Sequence, residues 1–139
     1  MTTVTKEFHF EAAHRLELEA ATTAENARVY GACSNLHGHT YILWVTLRAP
    51  ALLSKLRTGM ITDFRDISRI VKAHVIDELD HNFLNSVPWL TGPITAENMV
   101  SDIARRLCPV FPDVDVVHIR LYEGGNRTSW VDWYSEPQG

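Results

Sequence analysis

HGHTYILWVTLR, residues 37–48, is rich in aromatic and β-branched side chains and reads as a strand ended by Ala49-Pro50. Side chains two apart on a strand share a face, so His37 and His39 present two imidazoles side by side, and Gly38 leaves the opposite face unobstructed. Working outward toward the N-terminus, Phe8 and Phe10 alternate with Glu7, His9 and Glu11 from Val4 to about Ala13. That period of two marks a first strand with one buried face, and His14 ends it. If the two strands pair as antiparallel neighbours, His14 can supply a third nitrogen beside His37 and His39. Three neutral imidazoles with an open fourth position make a catalytic zinc arrangement, because a structural site would close with Cys or a fourth His.

The remaining elements follow from the same patterns. Residues 18–35 lose the alternation and form a long excursion with room for a short helical turn. Between Asp63 and Leu79, Phe64, Ile67, Ile70, Val71, Val75 and Leu79 recur at three- and four-residue steps, an amphipathic helix with Asp63 as N-cap. A second helix runs from Thr95, its N-cap, through Met99, Val100, Ile103, Ala104 and Leu107, and stops before Pro109. Glu97 complements its positive N-terminal end. Strands at Val116–Glu123 and Thr128–Tyr134 then flank the Gly124-Gly125-Asn126 turn. The order ββααββ predicts an α+β domain with a four-stranded antiparallel sheet and two helices on one face. Such a small sheet has open edges, which burial against sister subunits would protect.

The chain has 139 residues, fitting a single domain over 1–139. No apolar run approaches the roughly 20 residues that cross a bilayer, and the N-terminus lacks a secretory pattern. The expectation is a cytoplasmic protein with no membrane association. A formal charge of −4 argues against nucleic acid as a partner, since phosphates call for clustered Lys and Arg. Two cysteines are too few for a disulfide framework.

Other residues carry chemistry in context. Cys33 lies four residues before His37, where a nearby cation would favour its thiolate; Cys108 reads as a small buried hydrophobe at a helix end. Asp80-His81 pairs a carboxylate with an imidazole, an arrangement suited to proton transfer near neutral pH. Glu123, before a tight turn, could accept two hydrogen bonds from a planar donor edge if it faces a cleft. His9, His74 and His118 read as structural or surface residues, and Trp44, Trp89, Trp130 and Trp133 as core or subunit contacts.

Taken together, FEAAHRL around His14, Cys33 with SNL and HGH, LDHNFLN around His81, ITAEN around Glu97 and LYE ending at Glu123 resemble one family. It is the superfamily of 6-pyruvoyltetrahydropterin and 6-carboxytetrahydropterin synthases, and the likeness runs colinearly over nearly the whole chain. The resemblance implies the tunnelling fold, with trimers stacked into a homohexamer, a barrel-like assembly whose active sites lie at subunit interfaces. It implies zinc held by His14, His37 and His39, Cys33 as proton acceptor, Asp80 and His81 as proton relay, and Glu123 as anchor of the pterin ring. Thr95 and Glu97 match positions near the pterin pocket. The substrate implied is 7,8-dihydroneopterin triphosphate. The three residues between Cys33 and His37, with MITDF at 60–64, are similar to the carboxy branch, which releases acetaldehyde and leads to queuosine. The 18 residues between His14 and Cys33 resemble the pyruvoyl branch, and EGGNRTSWVDW departs from the carboxy ending. The carboxy branch is favoured. Two other classes compete: a zinc hydrolase, which has little need of Cys33, and a non-catalytic zinc- or pterin-binding module.

Overall fold

The structure, a computed structural model, describes residues 1–49, 52 and 55–136. Pro50, expected to end the second strand, lies outside the described residues. Strand β1 (Thr3–His14) is followed by helix α1 (Thr23–Tyr30), a 3-10 turn (Gly31–Ser34) and strand β2 (His37–Arg48). A helical rod then combines α2 (Phe64–Val71), a π-turn (Lys72–Ile76) and α3 (Asp77–Leu79). The two-residue strand β3 (Asn82–Phe83), helix α4 (Ala96–Leu107) and strands β4 (Asp115–Glu123) and β5 (Trp130–Tyr134) complete the chain.

The sheet order is β3-β1-β2-β4-β5. The four expected strands are antiparallel neighbours, and the fifth, β3, adds to β1 in parallel. Alternation in β1 buries Phe10, Ala12 and His14, and leaves His9 and Glu11 on the far face. In β2 the same rule turns His37, His39, Tyr41, Leu43, Val45 and Leu47 inward, because Tyr41↔Phe10 and His39↔Ala12 are register partners. Phe10 and Tyr41 stack at 4.9 Å between ring centroids.

Both expected helices cover the inward face. Asp63 accepts from the Arg65 amide at 2.8 Å and Thr95 from the Asn98 amide at 3.2 Å, so each cap satisfies an otherwise orphaned donor. On α4, Ala96, Met99, Val100, Ile103, Ala104 and Leu107 are all buried, the stripe of an amphipathic helix. Each large side chain among them contributes about 1.5–3 kcal/mol when fully buried. In the first rod the buried Ile67, Val71, Val75 and Leu79 are four apart. That spacing overshoots an α-helical turn, and the π-turn, with more residues per turn, keeps Val75 and Leu79 on the core side.

Several details depart from the sequence reading. The excursion carries a full helix, α1, capped by Thr22, whose hydroxyl accepts from the Glu25 amide at 3.1 Å. Strand β5 begins at Trp130, not Thr128, because Asn126 draws the Thr128 amide and hydroxyl into the turn. Cys108 is exposed, since the apolar stripe ends at Leu107. The tryptophans divide: Trp89 and Trp133 pack against the core, whereas Trp44 and Trp130 lie on the sheet face that no helix covers among the described residues. That face is a lattice of paired groups. Glu7 accepts from Trp44 Nε1 at 2.7 Å and pairs with Arg127, while Asp132 accepts from Arg120 at 2.7 Å and holds His118 at 2.7 Å. Among the described residues no helix is long and apolar enough to cross a membrane.

Candidate metal centre

Three strand ends converge on one corner of the inward face. His14 is the register partner of His37 across β1 and β2, His39 follows two residues along β2, and Glu123 is the partner of Tyr41 across β2 and β4. One ligand atom from each of His14, His37, His39 and Glu123 lies within 4.8 Å of the others. The imidazole centroids are 4.6–5.2 Å apart.

The outer nitrogens settle which atoms face that corner. His14 Nδ1 donates to the Ile94 carbonyl at 2.9 Å and His37 Nδ1 to the Asn35 carbonyl at 2.7 Å. A carbonyl only accepts, so each Nδ1 carries the proton and each Nε2 offers a lone pair inward. His39 Nε2 is buried and makes no hydrogen bond, although Glu123 Oε1 is 3.0 Å away, off the direction such a bond requires. Glu123 Oε1 is also 3.2 Å from His14 Nε2. Ligands at zinc distances of about 2.0–2.1 Å in a tetrahedron stand roughly 3.3 Å from one another. The set therefore fits a small divalent ion, with an orphaned nitrogen aimed at it. The Glu123 carboxylate stands beside the three imidazoles, on the side expected to stay open.

Electrostatics agree with that donor set. Burial pushes the His39 pKa down; Glu123 opposes this, and the neighbouring His14 and His37 reinforce it, so the ring is neutral near pH 7. The His14 ring beside it, first, and then His39 and the other imidazoles outweigh burial and hold the Glu123 carboxyl below its usual range, so it is ionised. Beneath the cluster lies Tyr41, wholly buried, with its hydroxyl 3.5 Å from His14 Nε2. Burial first, and then Glu123, drive its pKa upward, so it stays a neutral phenol. Tyr41 went unremarked in the sequence reading, although it continues the alternation of His37 and His39.

The other expected residues stand outside the four-residue cluster. Cys33 is exposed on the 3-10 turn, and its carbonyl accepts from the Leu16 amide at 2.8 Å. Its neighbours Ala32 and Ser34 help line a 390 Å³ cavity that also includes Arg15, Asn26 and Asn35. Asp80 Oδ2 is 2.9 Å from His81 Nδ1, the pairing expected. Asp80 also accepts from the Glu11 amide at 2.9 Å, and the His81 amide donates to the Glu11 carbonyl at 2.5 Å. His81 adopts φ of 60°, a left-handed conformation uncommon for a side-chain-bearing residue and here fixed by the β1 edge. His81 and His39 line one 490 Å³ cleft, together with Glu11, Gly38 and Thr40. Thr95 uses its hydroxyl as the α4 cap, and Glu97 is exposed in the first turn of that helix.

Known proteins share this arrangement of chain. Residues 3–136 match the family described as 6-pyruvoyl tetrahydropterin synthase. The 6-pyruvoyl tetrahydrobiopterin synthase of Dictyostelium discoideum is 36% identical over 120 residues, covering 85% of this chain and 86% of that one. The 6-carboxy-5,6,7,8-tetrahydropterin synthase of Haemophilus influenzae is 37% identical over 84 residues, 60% of this chain and 52% of that protein. The solved 6-pyruvoyl tetrahydropterin synthase of Caenorhabditis elegans superposes with a TM-score of 0.80 at 25% identity, over 97% of this chain and 96% of that one. The sheet, the helices packed on its inward face and the order of the elements are those of the tunnelling fold, and the chain belongs to the 6-pyruvoyl tetrahydropterin synthase family.

Proposed function

We propose that the chain is a zinc-dependent lyase that acts on 7,8-dihydroneopterin triphosphate. The observation that carries this reading is the His14, His37, His39 and Glu123 cluster, with its orphaned His39 Nε2, in a chain of this family. In this reading His14, His37 and His39 hold the ion. When bound, zinc supplies a Lewis acid that lowers the pKa of hydroxyl groups on the substrate side chain. The Cys33 thiolate would remove a proton from a side-chain carbon, the freed pair moving into the C=N bond of the pterin ring, whose nitrogen takes up a proton. Loss of a second carbon-bound proton, next to the triphosphate-bearing carbon, would supply the pair that forms the new double bond as triphosphate leaves. His81, whose ring Asp80 orients, carries protons between the thiol and the substrate. Glu123 accepts the planar N–H edge of the pterin, for which its carboxylate turns from the imidazoles toward the ring. Thr95 and Glu97 flank that pocket.

Cys33 and the Asp80-His81 pair both lie at the surface, outside the cluster. That supports an active site completed between subunits of a homohexamer built as a dimer of trimers. Leu36, 66% exposed beside the metal strand, and Val29, 52% exposed on α1, are apolar surface suited to such a contact. The short β3 and the β5 edge are the strands left to be covered. A cytoplasmic location goes with this reading and keeps Cys33 a thiol.

For the product, we favour 6-carboxytetrahydropterin with acetaldehyde, as in queuosine biosynthesis, from the Cys33-to-His37 spacing and MITDF at 60–64. One observation favours the pyruvoyl product: the relative aligned over 85% of this chain carries that name, and its alignment is longer than that of the carboxy relative. Incubating zinc-loaded protein with 7,8-dihydroneopterin triphosphate, with mass spectrometry of the pterin and an acetaldehyde assay, separates the two. Carboxytetrahydropterin with acetaldehyde supports the first product, and pyruvoyltetrahydropterin without acetaldehyde the second. No turnover by assembled, zinc-loaded protein overturns the lyase reading.

A further inference from the structure

Asp102 is a carboxylate only 3% exposed on α4, and nothing in the mechanism above uses it. A charge so deep is tolerated only when its oxygens are fully hydrogen-bonded. Asp102 accepts from the Thr91 amide at 2.8 Å, from the Thr91 hydroxyl at 3.0 and 3.2 Å, and from Arg105 at 2.8 Å. One helical turn earlier and on the same side, Asn98 Nδ2 donates to the Pro93 carbonyl at 2.8 Å. Gly92 lies between these two anchor points with φ of +66°, and a β-carbon there would stand 3.1 Å from Asn98 Nδ2. The turn from Thr91 to Pro93 is thus gripped at both ends by α4. The next carbonyl, that of Ile94, receives His14 Nδ1.

We propose that Asn98 and Asp102 are positioning residues for the metal centre, holding the Thr91–Ile94 turn so that the Ile94 carbonyl fixes the ring angle and tautomer of His14. His37 needs no such device, because its carbonyl partner, Asn35, is two residues away on the same segment. His14 draws its partner from 80 residues along the chain, so something must fix that distant segment. The two side chains of α4 that bond the turn are the parts that do so. This inference rests on the metal-centre reading.

The test compares zinc affinity, by chelator competition, and the visible spectrum of the cobalt-substituted protein in five forms. These are wild type, Asn98→Ala, Asp102→Ala, Asp102→Asn and the core control Val71→Ala. Outer partners of metal-bound histidines typically set affinity by 10–100-fold, and one bond further out we expect roughly three- to tenfold weakening in Asn98→Ala and Asp102→Ala. Their cobalt bands should shift. Asp102→Asn, which still offers an oxygen to the Thr91 amide, should recover most of the affinity. Val71→Ala, destabilised through a core cavity on the other helical rod and making no hydrogen bond to the turn, should keep both affinity and spectrum. If Asp102→Ala does not fold, Asn98→Ala decides, since its side chain is only half-buried. Wild-type affinity and an unshifted spectrum in Asn98→Ala overturn the inference, as does equal weakening in Val71→Ala. Absence of zinc binding by wild type would overturn the metal-centre reading itself.

Discussion

Replacing His39 by alanine should separate the cost of losing a metal ligand from the cost of losing a structural side chain. Its Nε2 makes no hydrogen bond within the protein, and its side chain is 25% exposed. Removal forfeits edge contacts with His37, His14 and Tyr41, at 4.9, 5.2 and 5.5 Å, worth about 1 kcal/mol together at this part-exposed site. His14→Ala is the contrasting case, because that ring is wholly buried and bonded to the Ile94 carbonyl. Leaving that carbonyl without a donor costs about 1–3 kcal/mol, and the vacated volume adds to it, for a total of about 2–4 kcal/mol. At about 4 °C per kcal/mol for a chain of this size, the metal-free Tm should fall about 4 °C in His39→Ala and about 8–16 °C in His14→Ala. Free zinc at 100 times Kd stabilises wild type by about 2.7 kcal/mol, a rise of about 10 °C. Neither variant should show that rise. Scanning calorimetry on chelator-treated protein, with and without zinc, reads all of these values. A full zinc-induced rise in His39→Ala would refute the assignment of His39 as a ligand, and a metal-free drop equal to that of His14→Ala would refute the account of its orphaned nitrogen.

Cys33→Ala should keep the zinc-induced rise in Tm and lose turnover by about 10²-fold or more, the scale of a removed general base; unchanged turnover takes the thiol out of the mechanism. The Glu11 amide, and after it His81, hold the Asp80 carboxyl below the usual carboxylate range. A depressed folded pKa stabilises the fold above the ordinary value and loses that contribution as pH falls through the depressed one. Carbon-13 titration of Asp80 should therefore show an acid-shifted midpoint that Glu11 and His81 explain, and an ordinary midpoint would mean that the clamp is absent in solution. On the uncovered sheet face, Asp132→Ala removes the shared partner of Arg120, His118 and Trp130. Partial solvent screening limits the loss to about 1–2 kcal/mol, measurable as a lower urea midpoint, and an unchanged midpoint would show that this lattice adds no stability.

Much of this architecture was legible because its signals are local. The alternation of HGHTYILWVTLR gave β2 its observed bounds, and three- and four-residue apolar steps gave both core helices with their caps at Asp63 and Thr95. What escaped depends on contacts made far along the chain. Two residues, Asn82 and Phe83, cannot display a period, and they become a strand only because β1 is there to receive them. Glu123 was legible as a site carboxylate, but its place among the imidazoles was not, because only the Tyr41↔Glu123 register brings it there. The hydrogen bond from His14 to the Ile94 carbonyl has no sequence signature, since the acceptor is a backbone atom. Cys108 misled because a helix stripe reveals where burial begins more clearly than where it stops.

In the proposed metal reading, the pairing of His14 with His37 across β1 and β2 would give the ion a part in folding fidelity as well as in chemistry. A strand that slips by one residue turns every side chain to the opposite face. Slipping β1 by one residue would bring Ala13 or Arg15 to the corner where His14 stands and dismantle the three-imidazole set. Only the correctly aligned sheet can then retain the metal, so metal retention would act as a molecular proofreader that favours the aligned chain over its near neighbours.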